Sequence, residues 1–189
     1  MKELSFDRLR KTSVIVSLVV LVIGLTWAER ELRGLYEYDG SETALRRILA
    51  QRQEIAEEQV SVKLVKEQDG QIYVCWENGD NGHLFLTHFQ QRLGGNRLKH
   101  LGFSSSNVNW VNDYYREKLE ECPPALLVIF GDNSDDAAQK YSFAYGQKRY
   151  ETVVPDGYFI DIYTFGEVAV YENGIVYGKS GEELLLFKP

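Results

Sequence analysis

Residues 125–130 read Ala-Leu-Leu-Val-Ile-Phe, six apolar residues in succession, with Pro124 before them and Gly131 after them. A strand that is solvated on one face alternates apolar and polar residues. An unbroken apolar run of this length, bounded by turn-forming residues, is instead typical of a strand whose two faces are both covered. We therefore expect a fully buried strand at residues 125–130.

Strand patterns separated by turn residues continue after this run, at intervals of roughly 8–12 residues. The turns are indicated at Gly146, Pro155-Asp156-Gly157, Asn173-Gly174 and Gly181. This spacing predicts a second, antiparallel β-rich half over residues 108–189, with a short helix at 109–121 before the buried strand. The further predicted strands cover residues 140–145, 149–154, 158–165, 167–171, 175–177 and 183–187.

An amphipathic helix and a β-meander are predicted over residues 41–103. Ser41 is a favourable helix N-cap, and apolar residues recur at three- and four-residue steps as far as residue 58. Asp69-Gly70 then indicates a hairpin, and the helix can cover the apolar face of the meander. The fold class is therefore α+β, either as one continuous domain 41–189 or as halves 41–103 and 108–189. The meander strands are predicted at residues 60–64, 72–76, 83–89 and 97–103.

The N-terminal segment 12–28 carries no charge and contains the run SVIVSLVVLVIGLTW. As a helix, these residues would span roughly 26 Å, close to the ~30 Å of a bilayer core. The basic residues Arg8, Arg10 and Lys11 favour a cytoplasmic N-terminus. We expect a transmembrane signal anchor, with the body on the outer side of the cell membrane. The expected segments are a cytoplasmic tail at 1–11, the anchor at 12–28 and a juxtamembrane linker at 29–40.

A cleavable signal peptide is the alternative, with Thr26 and Ala28 at the small-residue positions of a cleavage site. In that alternative the body is secreted. Both interpretations place it outside the cytoplasm, where a disulfide is chemically allowed. The two cysteines, Cys75 and Cys122, are therefore a candidate disulfide, and two free thiols are the alternative.

The charge of the chain restricts its partners. The formal net charge is −7 at pH 7, and the first eleven residues contribute +2, which leaves −9 for the remainder. Phosphate backbones and anionic lipids repel a body of that charge, so we expect no nucleic-acid partner. The expected partners are the membrane itself, through residues 12–28, and another membrane or envelope protein.

Histidines and cofactor motifs do not indicate a catalytic centre. His83, His88 and His100 are close in sequence, but His83 and His88 are five residues apart on a predicted strand and should point to opposite faces. We therefore expect no metal ion bound between them. The sequence contains none of the common nucleotide or cofactor fingerprints, so no cofactor is expected.

Three other polar motifs have ordinary structural explanations. Residues 132–136 lack the glycine and glutamate positions of a calcium loop and are expected to form a solvated acidic turn. Gly178-Lys179-Ser180 lacks the spacing of a phosphate-binding loop. The third motif is a group of three carboxylates on the polar face of the first predicted helix. We expect these carboxylates to be exposed to solvent. These carboxylates are Glu54, Glu57 and Glu58.

A layout resemblance adds to this picture. Residues 127–163 read LVIFGDNSDDAAQKYSFAYGQKRYETVVPDGYFIDIY, where a strand ends at Gly131, an acidic turn follows, and Pro-Asp-Gly-Tyr-Phe leads into another strand. With the N-terminal anchor, this layout resembles the small membrane-anchored surface proteins of unknown function in Gram-positive bacteria. The resemblance implies an extracytoplasmic location, and it brings no catalytic residue to this chain.

The sequence favours a binding or interaction module at the outer face of the membrane over an enzyme. Trp110, Tyr114 and Tyr115 are a candidate interaction surface, although such aromatic residues suit a core equally well. Two alternatives stay open. One is a cell-envelope hydrolase that uses carboxylate or His88 acid–base chemistry, and the other is an inhibitor-like domain with a helix across a sheet.

Reporter fusions after residue 189 test the predicted orientation. Alkaline phosphatase needs disulfides that form outside the cytoplasm, so we expect an active phosphatase fusion. A green fluorescent protein fusion at the same position gives the reciprocal measurement of cytoplasmic location. Fluorescence without phosphatase activity would show that the body lies inside the cell.

Overall fold

A computed structural model describes residues 16–26, 35–80, 82–106, 112–116, 125–167, 169 and 171–187. The chain divides into two compact units, Met1–Tyr36 and Glu37–Pro189. In the first unit, residues 16–26 form a helix, α1. No helix within the described ranges is both long enough and apolar enough to cross a bilayer. Residues 12–15 and 27–28 of the predicted anchor lie outside those ranges.

The fold is α+β and is dominated by antiparallel sheets. The second helix, α2, is Glu42–Gln53. The strands are β1 Leu35–Glu37, β2 Val60–Gln68, β3 Gln71–Asn78, β4 Leu84–Arg92, β5 Arg97–Ser106, β6 Asn112–Arg116, β7 Leu126–Asp132, β8 Ala138–Tyr145, β9 Lys148–Val153, β10 Tyr158–Thr164, β11 Tyr171–Gly178 and β12 Glu183–Phe187. They form an N-terminal sheet of order β1-β5-β4-β3-β2, a central sheet of order β10-β7-β6 and a C-terminal sheet of order β12-β11-β8-β9.

Helix α2 begins where the sequence predicts and ends earlier. The Ser41 side chain accepts a hydrogen bond from the Ala44 N–H at 3.1 Å, which caps the first turn. The predicted end at residue 58 is wrong, because Glu54 adopts a left-handed conformation with φ of 55° and stops the helix after Gln53. A separate 3-10 turn, Glu57–Gln59, follows.

The predicted β-meander is confirmed as β2 to β5, paired in sequence order. Its first hairpin turns at Asp69 and Gly70, whose φ angles are 52° and 70°. Two successive positive φ angles are those of a two-residue type I′ turn, which Asp-Gly favours because its backbone twist matches the strands. Helix α2 packs against β2 at the edge of this sheet.

Strand β7 is buried on both faces, as the apolar run predicts. Val128 and Phe130 pack with residues of the N-terminal sheet, whereas Leu127 and Ile129 pack with residues of the C-terminal sheet. All four side chains are fully buried. At about 1.5–3 kcal/mol for each buried side chain, this strand is a principal source of the hydrophobic stabilisation.

The predictions for residues 109–121 and 173–174 are wrong. The predicted helix at 109–121 contains a strand instead, since Asn112–Arg116 is β6 and pairs with β7; the other residues of that segment lie outside the described ranges. The predicted turn at Asn173-Gly174 lies within β11, where the register against β8 shifts between Glu172 and Ile175. Asn-Gly can form a hairpin turn, but glycine also occurs at irregularities within strands, and that is its place here.

The predicted strand at 167–171 is also wrong at Glu167 and Ala169, which are described and lie outside any strand, and β11 begins at Tyr171. There, the Tyr145 side chain forms hydrogen bonds with backbone groups that a neighbouring strand would otherwise bond. The Tyr145 hydroxyl donates to the Glu167 carbonyl at 2.8 Å and accepts from the Ala169 N–H at 2.9 Å. These bonds satisfy the backbone without a β-ladder.

Asn133 is a fully buried polar residue that joins three connections. Its Oδ1 accepts from the Ala138 N–H at 3.0 Å, and its Nδ2 donates to the carbonyls of Ala138 at 2.9 Å and Pro155 at 3.3 Å. Its backbone N–H donates to the Gly157 carbonyl at 2.9 Å. The side chain therefore holds the end of β7, the start of β8 and the loop before β10 together.

We expect Asn133→Ala to lower the free energy of unfolding by about 2–3 kcal/mol, because it leaves the buried N–H and the buried carbonyl of Ala138 without their partner. Urea denaturation of the full chain in detergent gives the measurement, with the m-value unchanged. Ser134→Ala is the matched control, since its hydroxyl is exposed and should contribute within about 0.5 kcal/mol. Equal losses in both variants would contradict the role of Asn133.

Candidate functional site

The three histidines do not form one cluster in the described structure. The His88 ring stacks on Tyr73 with a centroid distance of 4.3 Å, on the face of the N-terminal sheet that meets the central sheet. The His100 ring lies edge-on to Phe89, at 5.9 Å, on the opposite face of β4. His83 precedes β4 and its ring lies 6.4 Å from Phe85. Strand alternation thus places His83 and His88 on opposite faces.

The environment of His100 disfavours its charged form. The pKa of His100 is lowered from 6.5 to about 4, first by burial and then by the positive charge of Arg52, against an opposing effect of a hydrogen bond at the Gly102 backbone. Its Nε2 is buried and has no hydrogen-bond partner within the described ranges. A neutral ring packed on Phe89 is a structural group.

The cysteines are only partly described. Cys75 is a free thiol and is fully buried in β3. Burial raises the pKa of Cys75 to about 12, with a smaller contribution from the negative charges of Glu77 and Asp132. The thiol is therefore protonated and unreactive near neutral pH. Cys122 lies outside the described residues, so the bridge between the two cysteines stays a prediction.

The acidic turn after β7 is held by its own side chains. Asp132 Oδ1 accepts from the Ser134 backbone N–H at 2.9 Å and also from the Ser134 hydroxyl. Asp135 Oδ1 accepts from the Ala137 N–H at 3.2 Å. These are Asx-type hydrogen bonds, so the carboxylates serve the local backbone conformation. Lys179, from the turn between β11 and β12, pairs with Asp136.

The remaining polar motifs of the sequence lie on the surface. Gly178-Lys179-Ser180 begins the turn between β11 and β12, and the Glu182 carboxylate accepts from the Ser180 N–H at 3.0 Å. Glu54, Glu57 and Glu58 are all exposed at and beyond the end of α2. The described structure brings none of these groups into a shared cleft with the histidines. Within the described ranges, no group of metal-ligating side chains has the geometry to hold an ion.

The candidate interaction surface of aromatic residues falls largely outside the described structure. Trp110 is outside it. Tyr114 and Tyr115 lie in β6, where they pair with Val128 and Leu127 of β7 along the backbone. The proposal that these three residues bind a partner stays a prediction.

A buried tyrosine network lies between the central and C-terminal sheets. Tyr141 Oη donates to Asp161 Oδ2 at 2.7 Å and lies 2.6 Å from Tyr163 Oη, which in turn lies 2.8 Å from Thr152 Oγ1. Burial raises the pKa of Tyr141, and its hydrogen bonds to Tyr163 and Asp161 raise it further. Each of the three hydroxyl groups in this network has a hydrogen-bond partner, so the network connects β8, β9 and β10 rather than presenting a reactive group.

A second polar network joins the N-terminal and central sheets. Tyr158 Oη donates to Glu77 Oε1 at 2.7 Å, and Lys63 Nζ lies 2.9 Å from Glu77 Oε2. Lys63 Nζ is also 5.3 Å from the centre of the Tyr158 ring, within cation–π range. Lys66 Nζ donates to the Ile160 carbonyl at 2.6 Å. These bonds tie β10 to β2 and β3.

A shallow groove of about 500 Å³ lies beside the β8–β9 turn. Tyr145 and Phe165 form its aromatic part and stack on each other at 3.7 Å. Both rings are buried, so they stabilise the groove wall and offer little surface to a ligand. The charged groups Lys148 and Glu167 lie at its rim and are exposed.

The two edges of the C-terminal sheet differ in chemistry. Strand β9 has the sequence KRYETV, and its charges engage neighbours across the sheet: Arg149 Nη2 donates to Ser142 Oγ at 3.1 Å, and Lys140 Nζ lies 3.0 Å from Glu151 Oε1. Such charges protect an edge against strand pairing. Strand β12 has the sequence ELLLF, with a single charge.

Strand β12 is the candidate functional site. It pairs with β11 on one side and ends the described sheet on the other. Leu184 and Leu185 pack against the core, whereas Leu186 is 50% exposed. The sequence predicted a strand at 183–187 but not that this strand is an edge. Three leucines beside one charge were the available signal, and strand order is needed to interpret it.

Comparison with known proteins assigns no function to this chain, so any function has to be argued from the geometry of the described residues. No protein-family model matches the chain, and neither a curated protein nor a solved structure matches it. No relative therefore supplies an activity, and the physical properties of the described residues carry the proposal.

The shift of His100 predicts a specific loss of stability in acid. Because its folded pKa is about 4 and its ordinary value is 6.5, the unfolded chain binds a proton between these values that the folded chain does not. Stability from this site is complete above about pH 6.5 and is lost as the pH falls towards about 4. We expect His100→Gln to flatten the change in urea midpoint over this window. Identical slopes in the variant and in the parent protein would contradict the assignment.

Proposed function

We propose that the chain is a membrane-anchored, extracytoplasmic binding module that accepts a strand of a protein partner along β12. The observation that carries this proposal is the apolar strand β12, which ends the described C-terminal sheet, with Leu186 half exposed. An open edge offers unpaired backbone N–H and C=O groups, and an extended segment that pairs with it completes the ladder. Side chains on either face of the edge then give specificity.

The anchor is supported by the N-terminal sequence and by α1. Residues 12–28 are uncharged, and the large apolar side chains of α1 are between 51% and 63% exposed. A helix that is apolar on all sides matches the requirements of a lipid environment. Lipid contact would cover these side chains, and the basic residues before them favour the orientation with the body outside.

Binding is favoured over catalysis because the hydroxyl groups of Tyr141 and Tyr158 have structural partners. Tyr141 is bonded to Asp161 and Tyr163, and Tyr158 is bonded to Glu77. A general acid or base requires a polar group that is free to reach a substrate in a cleft. Among the described residues, the networks instead join one sheet to another, which makes a rigid body that can present an edge.

The proposal is tested by photocrosslinking in membranes of cells that make the protein. Glu183, an exposed residue of β12, is replaced by benzoylphenylalanine, and we expect a discrete adduct with a protein partner. Adding Leu186→Lys should abolish that adduct, because a charge replaces the apolar contact on the pairing edge. Adding Val153→Lys should leave it intact, since Val153 lies on β9 and is 73% exposed.

The effect of Leu186→Lys on the adduct decides whether the partner binds at the β12 edge. An adduct that survives Leu186→Lys would show that contact near position 183 does not use the strand edge. Absence of any adduct in membranes, with the protein folded and inserted, would remove β12 as the binding site. Both variants change exposed side chains, so their urea midpoints should match that of the parent protein.

A further inference from the structure

We propose that the partner strand accepted by β12 carries a basic residue and an apolar residue at alternate positions, with the basic side chain beside Glu183 and the apolar side chain beside Leu186. This inference rests on the proposed binding function of β12 and names the chemistry of the partner segment. Backbone pairing alone accepts any extended segment, whereas cross-strand side-chain pairs select among segments. The selection therefore depends on which side chains of β12 share one face.

A register shift places Glu183 and Leu186 on one face of the C-terminal sheet. Leu186 pairs with Ile175 of β11, and Glu183 pairs with Tyr177, two residues further along. Residues 175–177 pair with three successive residues of β8, so this part of β11 alternates regularly. Its residues two apart lie on the same face, and so do their partners in β12. Without the extra residue, Leu184, strict alternation would place residues 183 and 186 on opposite faces.

Burial agrees with this assignment of faces. Leu184 and Leu185 are consecutive, yet both pack against the core of the C-terminal sheet. A β-bulge sets two residues of one strand opposite one residue of its partner, which interrupts the alternation. Leu186 is 50% exposed, and Glu183 is also exposed. The outer face of β12 therefore presents an apolar side chain and a carboxylate about 7 Å apart along the sheet.

Two lysines of the C-terminal sheet pair with carboxylates other than Glu183. Lys140 lies in the same cross-strand row as Glu183, but its Nζ is 3.0 Å from Glu151 Oε1. Lys179, in the turn before β12, pairs with Asp136. Among the described residues, none forms an ion pair with the Glu183 carboxylate. A lysine or arginine of the partner strand beside Glu183 would supply the opposite charge.

The wider charge favours the same kind of partner. Residues 125–187 contain four basic and ten acidic residues, which gives a formal charge of −6. A field of that sign attracts basic segments and repels acidic ones. Because a regular partner strand alternates faces, the residues that it places beside Glu183 and Leu186 are two positions apart. The recognised motif is therefore basic-x-apolar in a parallel partner and apolar-x-basic in an antiparallel one.

Binding of three labelled peptides to the full chain in phosphatidylcholine nanodiscs tests the motif. The matching peptide, Thr-Val-Thr-Lys-Thr-Val-Thr-amide, has valine two positions from lysine in both directions, so it suits either orientation. The shifted peptide, Thr-Val-Lys-Thr-Thr-Val-Thr-amide, has the same composition but places lysine and valine on opposite faces. The third peptide replaces the lysine of the matching peptide with glutamate. By fluorescence anisotropy, we expect the matching peptide to bind about three- to fivefold tighter than the shifted peptide and about tenfold tighter than the glutamate peptide.

A charge reversal separates the local contact from net charge. Glu183→Lys should reverse the order of the matching and glutamate peptides, because like charges then face each other in the matching complex. Glu167→Lys changes the net charge equally and should retain the original order. The Glu167 carbonyl bonds to Tyr145, which pairs with Tyr171, six residues and about 20 Å along β11 from Tyr177. That distance exceeds the Debye length of about 8 Å. Both variants change exposed side chains, so their urea midpoints should match that of the parent protein.

The outcomes separate this inference from the function on which it rests. Equal affinities of the matching and shifted peptides, or equal effects of Glu183→Lys and Glu167→Lys, would show that only net charge acts and would overturn the motif. Binding that is unchanged by Leu186→Lys would place the peptide away from the edge and would also overturn it. Failure of all three peptides, beside an edge-dependent adduct at position 183 in membranes, would refute the motif and keep the binding function. Loss of both signals would remove both.

Discussion

The burial of β7 on both faces is the constraint on which the rest of the structure depends. Its even-numbered side chains Val128 and Phe130 contact the N-terminal sheet, and its odd-numbered side chains Leu127 and Ile129 contact the C-terminal sheet. A strand with two apolar faces must be covered twice, since each exposed leucine, isoleucine or phenylalanine side chain costs about 1.5–3 kcal/mol. The three sheets are stacked because one strand requires both neighbours.

Polar interactions then fix how the layers meet. Asn133 joins the loops at the end of β7, the tyrosine network joins the central and C-terminal sheets, and the Tyr158–Glu77 bond joins the central and N-terminal sheets. Apolar contacts tolerate small sliding movements, whereas hydrogen bonds are directional and costly to leave unmade in a buried place. From the sequence alone, these polar side chains could be mistaken for catalytic groups. In the structure, they are hydrogen-bonded to other groups of the protein.

Stacking the three described sheets buries the apolar faces of the sheets, but it does not cover the strands at their edges. The edges differ in how they are protected: β9 carries charges, β2 carries charges and a register shift near Val62, and β12 carries one glutamate. An apolar edge promotes aggregation of a protein that has no partner, and it serves as a binding site in a protein that pairs with a strand. The proposed binding at β12 follows from this difference, and it needs neither a pocket nor a reactive group.

The sequence by itself determined the local structure: the buried strand from its unbroken apolar run, the start of α2 from Ser41, and the β2–β3 hairpin from Asp69-Gly70. These features depend on neighbours within a few residues, so local pattern is sufficient. Only the tertiary structure decided that Asn112–Arg116 is a strand, that Asn173-Gly174 lies within β11, and that β12 ends the described C-terminal sheet. Each of these depends on which distant strand lies alongside, and a period-two pattern specifies a buried face without specifying the neighbour in the sheet.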